Sequence, residues 1–413
     1  MNSAYLSLLR KNPKLRVLLI ALIVSVIGDV AYFVVLAGVL LGAHHTAVFS
    51  ISVAAEVLGG IAMLPFAGVI VDRYDRLRVM IGSDLVQAIV VLGAYVALRA
   101  GVFDAAPVVS LLLGAASAFF TPAVGALVPQ LAQADDLVTA NALRSLATKA
   151  SGLIGPALAG VVLVLSTGMV LVLADAISFI VSAALLVCIG LRHSWRPEPN
   201  PAQVQEPSMV REALAGLAFV RSKVWIAAIM VQGVFQVGFV LGPEIVLVPI
   251  FLSHHHETHL YGFVLSAQAA GAIAGALIGP KVTQDRAGLA ALAGLFLVIP
   301  ELAVLVFTGP GALLIAASLL TGAAYALFGV LWISALQRSV PGGILGRVLS
   351  LDALANSALQ PLGIVLVPAA LAATSIPIVA VVLMIGLVIS TVAPAVVPGV
   401  LAFHDPLPPP VRT

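Results

Sequence analysis

Acidic side chains inside apolar runs are the residues of this chain that could do chemistry. Seven acids interrupt such runs: Asp29, Glu56, Asp84, Asp175, Glu244, Glu301 and Asp352. A charge inside a bilayer is costly unless it is paired, hydrated or protonated, so intramembrane acids mark ion and substrate pathways. Asp29 and Glu56 lie deepest, roughly 18 and 15 Å into their runs at about 1.5 Å per residue. We predict that Asp29 and Glu56 exchange protons with help from Glu244, and that Asp84, Asp175 and Glu301 form structural pairs.

The composition places these acids in a membrane protein. Of 413 residues, 61% are hydrophobic and 9% are charged, whereas soluble domains average about 25% charged residues. The single cysteine, Cys188, excludes a disulfide within the chain and a cysteine-based metal site. The sequence contains no Gly-x-x-x-x-Gly-Lys-Ser/Thr nucleotide-binding loop. We therefore predict no cofactor, no enzyme activity and no nucleic-acid partner.

Twelve apolar segments are long enough to span a bilayer. They are predicted at about 17–41, 46–71, 79–99, 106–129, 138–165, 169–191, 224–251, 259–280, 287–307, 311–336, 345–372 and 376–398, numbered helices 1 to 12. With both termini in the cytoplasm, 19 of the 20 Lys and Arg residues fall inside and only Arg99 falls outside. The positive-inside rule therefore predicts that both termini are cytoplasmic. We expect the membrane to be the plasma (inner) membrane.

One polar stretch divides the chain into two halves. Residues 192–208 are rich in Pro, Glu and Gln, and a basic amphipathic stretch runs to Lys223. We predict an N-terminal six-helix bundle at 1–191, a cytoplasmic linker with an amphipathic helix at 192–223, and a C-terminal six-helix bundle with a short tail at 224–413. The alternative is that 192–223 is only a solvated tether with a surface helix.

A charged turn joins helices 2 and 3. Its sequence is Gly68-Val-Ile-Val-Asp72-Arg73-Tyr-Asp75-Arg76-Leu-Arg78. It resembles the signature loop between helices 2 and 3 of the major facilitator superfamily, although family members usually have Gly where this chain has Asp75. We expect Gly68 to allow close helix contact and Asp72 to accept from helix-start amides or an arginine. The resemblance implies an all-α fold of two pseudo-symmetric six-helix bundles. It also implies a cytoplasmic gate at this loop together with Arg144 and Arg347. An ordinary positive-inside loop is the alternative.

Helix 5 contains a glycine–proline motif. It reads Gly152-Leu-Ile-Gly155-Pro156-Ala-Leu-Ala-Gly160, in which the proline removes one backbone hydrogen bond and the glycines leave a smooth face. Glycines at 271, 275 and 279 in helix 8 offer a partner surface. The motif resembles that of superfamily antiporters, chiefly drug exporters, with Ala159 replacing one glycine. Generic helix packing is the alternative.

Further stretches resemble one branch of the superfamily, the macrolide-efflux and enterobactin-exporter branch. They are Gly28-Asp29, Thr121-Pro122-Ala123 through Ala142-Leu143, Asp175 to Phe179, and Leu336-Gln337 through Val348. The resemblance covers nearly the whole chain and implies a drug:proton antiporter. It does not identify the substrate.

The predicted substrate cavity is lined from helices 1, 7 and 11. Ser25, Tyr32 and Phe33 share a face with Asp29 by helical spacing, and the resemblance places helix 1 beside a central cavity. Polar residues also recur at helical spacing on helices 7 and 11, at Gln232, Gln236, Asn356 and Gln360. Such stripes could instead hold helices together.

Six of the eight histidines fall in two outer loops, after helices 1 and 7. They are His44, His45, His254, His255, His256 and His259. Histidines bind transition metals and titrate near neutral pH, so His254, His255, His256 and His259 are candidate metal ligands. The alternative is a solvated loop, since nothing in the sequence fixes ligand geometry; we predict no metal site.

The sequence therefore predicts a monomeric secondary transporter. It would export an amphipathic or apolar small molecule, such as a drug-like compound or siderophore, through the lipid bilayer by alternating access against protons. The alternatives are a lipid or lysophospholipid transporter, an uncoupled facilitator, or a receptor or scaffold that does not transport.

Overall fold

A computed structural model describes residues 3–133, 136–165, 168–190 and 217–404. Twelve helices within these ranges are long and apolar enough to span a membrane, which confirms the predicted fold class. Helices 1 to 6 are Pro13–Gly42, Thr46–Val71, Arg76–Arg99, Phe103–Leu131, Thr139–Leu165 and Met169–Gly190. Helices 7 to 12 are Val224–His254, Thr258–Lys281, Gln284–Val306, Gly311–Ser339, Ile344–Ala373 and Ile376–Val396. A short helix, Ser3–Lys11, precedes them.

Polar side chains cap the N-termini of two of the helices. The Asn12 side chain accepts from the Leu15 amide at 3.0 Å and donates to the Leu131 carbonyl at 2.6 Å, so it joins the start of helix 1 to the end of helix 4. Asp75 Oδ1 accepts from the amides of Leu77 at 2.8 Å and Arg78 at 3.2 Å. Such caps satisfy amides that a helix leaves without partners. Asp75 therefore caps the start of helix 3. The Asp72 side chain lies outside the part of the chain that the structure describes, so the role expected of it stays a prediction.

Helices 7 and 11 are interrupted where they meet. Helix 7 contains a π-helical segment, Val237–Leu241, and helix 11 breaks between Ala358 and Gln360. A Cβ built at Gly238 would lie 2.7 Å from the Leu359 side chain, and one at Gly242 would lie 3.0 Å from the Gln360 carbonyl oxygen. Short π segments are frequently found at functional sites.

The chain divides into two compact units. The first contains residues 1–199 and 248–266, and the second contains 200–247 and 267–413. The end of helix 7 and the beginning of helix 8 thus group with the first unit. Most of the predicted linker lies outside the described residues, so the predicted domain boundaries stay a prediction.

Each unit has its own apolar core. In the first, Leu15, Leu18, Met80 and Val128 are fully buried. In the second, Trp225 stacks on Phe403 with ring centroids 6.1 Å apart and meets Trp332 edge-on at 6.1 Å. Burial of such side chains stabilises each unit from within.

Matching glycine contacts bring helices together in both units. A Cβ at Gly59 of helix 2 would overlap the Leu111 carbonyl of helix 4, and one at Gly114 of helix 4 would overlap the Glu56 carbonyl. In the second unit Gly271 of helix 8 faces Leu319 of helix 10 and Gly322 faces Gln268 in the same way. Small residues permit such backbone contact. The equivalence supports a repeat of helices 1–6 in helices 7–12.

The expected partnership between the helix 8 glycines and helix 5 is wrong. Gly271 and Gly275 approach the carbonyls of Leu319 and Ala323 on helix 10, and Gly279 approaches Val330 on the same helix. Helix 5 instead meets the first turns of helix 8.

Candidate functional site

Four acids of the first unit form one cluster across helices 1, 2, 3 and 6. Asp29 lies close enough to Glu56 and Asp84 to interact with their charges, and Asp175 does so with Asp29 and Glu56. Asp175 rests on Gly28, where a Cβ would overlap its carboxyl group. The small residue before Asp29 therefore lets helix 6 bring a second acid against helix 1.

The acid cluster of Asp29, Glu56, Asp84 and Asp175 has no basic residue on its own helices at that depth. The segments 17–71, 79–98 and 169–190 contain neither Lys nor Arg. Asp84 is fully buried and neither of its carboxyl oxygens has a hydrogen-bond partner; Ser182 on helix 6 is its polar neighbour. Carboxylates without cations are costly in an apolar interior, so such groups hold protons or exchange them. The arrangement can bind and release protons.

Sequence reasoning missed two members of this cluster. Asp84 and Asp175 were expected to form structural pairs, but they lie with Asp29 and Glu56. Ser178 donates to Asp175 Oδ1 at 3.4 Å. One feature of the sequence indicates this proximity: Gly28, which has no side chain, comes directly before the deeply placed Asp29.

The three helix 1 residues predicted to line a cavity have different surroundings. Tyr32 is 4% exposed, its hydroxyl has no partner, and it interacts with the charges of Glu56 and Asp175. Phe33 packs between Phe49 and Tyr261, with ring centroids 6.3 and 6.2 Å away. Ser25 is buried. Tyr32 thus belongs with the acid cluster, and Phe33 lies in an aromatic contact.

A second acidic group joins helices 7, 9 and 10 of the second unit. Glu244 and Glu301 are both buried and lie within hydrogen-bonding reach of each other. Tyr325 donates to Glu244 Oε2 at 3.2 Å, and Ser318 donates to Glu301 Oε1 at 2.8 Å. Glu244 was predicted to be functional, whereas Glu301 was expected to be structural and the hydroxyl donors were missed.

The polar residues of helices 7 and 11 lie at their mutual contact. Gln232 and Gln236 are buried and hydrogen-bonded to each other. Asn356 is half-buried, and a Cβ at Gly233 would lie 2.5 Å from its Oδ1 atom. Gln360 is also half-buried. Asp352 accepts from the Trp332 indole at 3.2 Å. The bond between Gln232 and Gln236 lies within helix 7, and the bond of Asp352 joins helix 11 to helix 10. The cavity role of this stripe stays a prediction.

An apolar cleft of about 400 Å³ lies beside this contact. It is formed by helices 7, 11 and 12, with Phe235, Phe239, Leu366, Leu383 and Ile389 among its lining residues. The predicted polar residues Gln232, Gln236, Asn356 and Gln360 do not line it. Its size lies at the lower end of ligand pockets.

The predicted gate residues of the first unit lie at the ends of helices 2, 3 and 5. Arg73 and Arg78 are exposed, Arg76 is half-buried with an unpartnered Nε atom, and the Asp72 side chain lies outside what the structure describes. A Cβ at Gly68 would meet nothing within 4 Å, so the expected close contact there is wrong.

The remaining two gate residues lie on helices 5 and 11. Arg144 on helix 5 reaches Gly125 on helix 4, where a Cβ would lie 3.6 Å from its Nη1 atom. Arg347 on helix 11 is half-buried. The gate stays a prediction.

The glycine–proline motif of helix 5 makes close contacts at three of its four positions. A Cβ at Gly155 would lie 3.2 Å from the Ile27 carbonyl of helix 1, and one at Gly160 would lie 3.0 Å from the His259 carbonyl. Gly262 of helix 8 approaches the Pro156 carbonyl, and Ser266 donates to the Leu153 carbonyl at 2.8 Å. Gly152 meets nothing within 4 Å.

The histidine loops are built alike. His44 and His256 have left-handed backbones, with φ of 62° and 58°. The backbone amide of the next residue bonds back to the preceding helix in both loops. His45 N donates to Leu40 O and Glu257 N donates to Leu252 O, both at 2.8 Å. His45 packs on Phe103 and His255 on Phe251. Among the described residues, no group of three or more His, Cys, Asp or Glu could hold a metal ion.

A match to a protein-family model shows which family the chain belongs to. The Major Facilitator Superfamily model matches residues 18–364. The chain belongs to this superfamily. Its family and its relatives are transporters rather than enzymes.

Several relatives of this superfamily member carry efflux names. The chain is 24% identical over 321 residues to macrolide efflux protein A of Streptococcus pyogenes, covering 73% of this chain and 75% of that protein. It is 28% identical over 396 residues to the enterobactin exporter EntS of Escherichia coli O1:K1, covering 90% of each. Among solved structures it resembles a point mutant of the nucleoside transporter NupG, with a TM-score of 0.75, 14% identity and coverage of 92% of this chain and 99% of that chain. That structural likeness shows the fold alone.

Proposed function

We propose that this superfamily transporter exports an amphipathic or apolar small molecule across the plasma membrane in exchange for protons. The single observation that carries the proposal is the acid cluster of Asp29, Glu56, Asp84 and Asp175, which lies at membrane depth without a basic residue on its own helices. Such groups must gain and lose protons rather than pair with fixed cations. The efflux names of the relatives support the outward direction.

In the proposed cycle, Asp29 and Glu56 bind the incoming proton and Glu244 assists. Asp84, Asp175 and Tyr32 surround them and set how easily a charge can form there. A ligand shifts a conformational equilibrium only by its differential affinity for the two states. Proton binding must therefore be tighter in one access state than in the other, which is how it would drive export.

The basic residues support the proposed orientation, with both termini in the cytoplasm. Only Arg99 of the 20 Lys and Arg residues falls on the outer side in that orientation. The charged loop with Asp72, Arg73, Arg76 and Arg78 then lies in cytoplasmic water, where we propose that it latches the closed inner side together with Arg144 and Arg347.

A lipid or lysophospholipid transporter is the second candidate function. The apolar cleft of helices 7, 11 and 12 favours it, because an acyl chain fits a cleft lined by side chains such as Phe239, Leu366 and Leu383. Its substrate would share the amphipathic chemistry of the first candidate but would come from the bilayer.

Transport by the purified protein in liposomes separates these functions. A labelled macrolide, enterobactin and a fluorescent lysophospholipid are offered with and without a pH gradient. We expect accumulation of a macrolide or enterobactin above its external concentration only with the gradient, and Asp29→Asn should abolish this concentrative accumulation. The exposed Asp104→Asn is the control. Lysophospholipid movement alone would favour the second function, and movement of none of the three would contradict both.

A further inference from the structure

Two buried carboxyl groups of the second unit lie near each other. Glu244, at the start of the helical segment after the π segment, is 3% exposed, and Glu301 on helix 9 is 2% exposed. The two side chains lie within hydrogen-bonding reach of each other. A carboxylate only accepts hydrogen bonds, so two carboxyl groups can bond to each other only if one of them carries a proton.

Negative charge on Glu244 and Glu301 needs a positive partner, and the helices packed around them leave a proton for that role. Helix 9 packs against helices 10 and 12. Helix 12 has no ionisable residue, and helix 10 has only Tyr325, which touches the pair, and Arg338, near its far end. The segment of helix 11 that packs on Gly242 and Pro243 has none either. Two bare carboxylates at this contact would repel each other and lack a cation.

The hydrogen-bond donors around Glu244 and Glu301 leave room for one more proton. Tyr325 and Ser318 satisfy one oxygen of each acid, and the other two, Glu244 Oε1 and Glu301 Oε2, have no partner. Thr321 lies between Ser318 and Tyr325 on the same face of helix 10, is fully buried, and lies within hydrogen-bonding reach of Glu301. A third buried hydroxyl therefore faces the acids, and Glu244 Oε1 still has no donor.

The internal repeat gives this pair a counterpart in the first unit. Helices 7 and 9 are the counterparts of helices 1 and 3, which carry Asp29 and Asp84, two acids that also interact. The glycine contacts of helices 2 and 4 recur in helices 8 and 10. Each unit thus holds an acid pair on equivalent helices.

We propose that Glu244 and Glu301 bind one proton between them, as a proton site of the second unit that is separate from Asp29 and Glu56. A metal ion fits this site less well, because a hard cation takes six or more oxygen ligands, and no group of three or more His, Cys, Asp or Glu among the described residues could hold one. The proposal deepens the role that the proposed function gives to Glu244 by adding Glu301 as its partner, and the shared proton itself holds whether or not export is driven by protons.

Infrared spectroscopy of the full-length protein in liposomes tests the proposal. A protonated carboxyl group has a C=O stretching band distinct from that of a carboxylate, and it shifts in D2O. Glu301→Gln replaces the shared proton with an amide N–H that can still donate to Glu244. We expect this variant, and equally Glu244→Gln, to lose the protonated band of one group at neutral pH. Asp285→Asn, an exposed acid of the same unit, should leave the band unchanged.

The contrary result is an unchanged protonated band in both glutamine variants, which would overturn the shared proton. Size-exclusion elution reports whether each variant is folded. If a single variant does not fold, the double variant Glu244→Gln/Glu301→Gln takes its place. Its two amide side chains can hydrogen-bond to each other without an acidic proton. The double variant should lose the same band as either single variant, and retention of that band would also overturn the proposal.

Discussion

Asp29 differs from the exposed acids of the chain in having acidic neighbours on helices 2, 3 and 6 and no base beside it on helix 1. The sequence predicted its depth, because position within an apolar run fixes depth at about 1.5 Å per residue. It could not predict that Asp84 and Asp175 face Asp29. That proximity depends on the rotation of each helix about its axis, which only the packing of neighbours such as Gly28 decides.

Changing Tyr325 tests how much one hydrogen bond to the second acidic group contributes to stability. Tyr325→Phe removes the donor at 3.2 Å from Glu244 Oε2 and leaves a buried acceptor without it. We expect the free energy of unfolding to fall by about 1–3 kcal/mol, the usual cost of such a loss. Thermal unfolding of the purified protein measures it, with the 62% exposed Tyr74 changed to Phe as control. Equal midpoints for Tyr325→Phe and the parent would show that this hydrogen bond contributes nothing.

At the element scale, the twelve helices followed from hydropathy, but their contacts did not. Apolar runs of spanning length force helices in a bilayer because backbone groups there need internal partners. Which helix a glycine contacts depends on tertiary packing. Gly271 and Gly275 contact helix 10 rather than helix 5. The π segment Val237–Leu241 also escaped prediction, since nothing in its apolar sequence distinguishes it from an α-helix.

Glycine substitutions on helix 10 test the contact with helix 8. Gly322→Ala places a methyl group on the Gln268 carbonyl, whereas Gly329→Ala on the same helix meets nothing within 4 Å. We expect Gly322→Ala to lower the free energy of unfolding by about 1–3 kcal/mol, as overpacking does. Gly329→Ala should be neutral or slightly stabilising in the same thermal unfolding measurement. If the two variants unfold at the same temperature, helices 8 and 10 are not in close contact.

The two histidine loops offer a test that separates a backbone role of the histidines from metal binding. His44 and His256 occupy left-handed conformations that Gly and Asn adopt readily and β-branched residues do not. Replacing each with Val should therefore cost about 1–2 kcal/mol, whereas Asn should preserve stability. Thermal unfolding with and without micromolar zinc measures both effects. A parent protein that zinc stabilises and an Asn variant that it does not would favour the metal hypothesis instead.

At the scale of the whole molecule, the two halves repeat the same structural features. Equivalent glycine contacts, equivalent left-handed histidines and acids on equivalent helices occur in both halves. The sequence alone does not show this, because backbone approach and helix ends tolerate many side chains around a few fixed positions.

The cytoplasmic latch is a prediction for the whole molecule. Asp72→Asn should shift the protein towards inward-facing states, because a contact made only in the outward-facing state would be lost. Spin labels at the cytoplasmic ends of helices 2 and 11 report the distance distribution. Asp285→Asn, which removes the acid of the corresponding loop between helices 8 and 9, is the matched control. Identical distributions for Asp72→Asn and the parent would leave the loop as a topology signal.

Proton counting during transport tests the central claim most directly. Purified protein is placed in liposomes that contain a pH-sensitive dye, and a macrolide or enterobactin gradient is applied without a pH gradient. The account predicts that the parent moves protons opposite to the substrate, and that Asp29→Asn, with the acid cluster altered at its centre, moves substrate without protons. Substrate movement by the parent with no change in internal pH would contradict it.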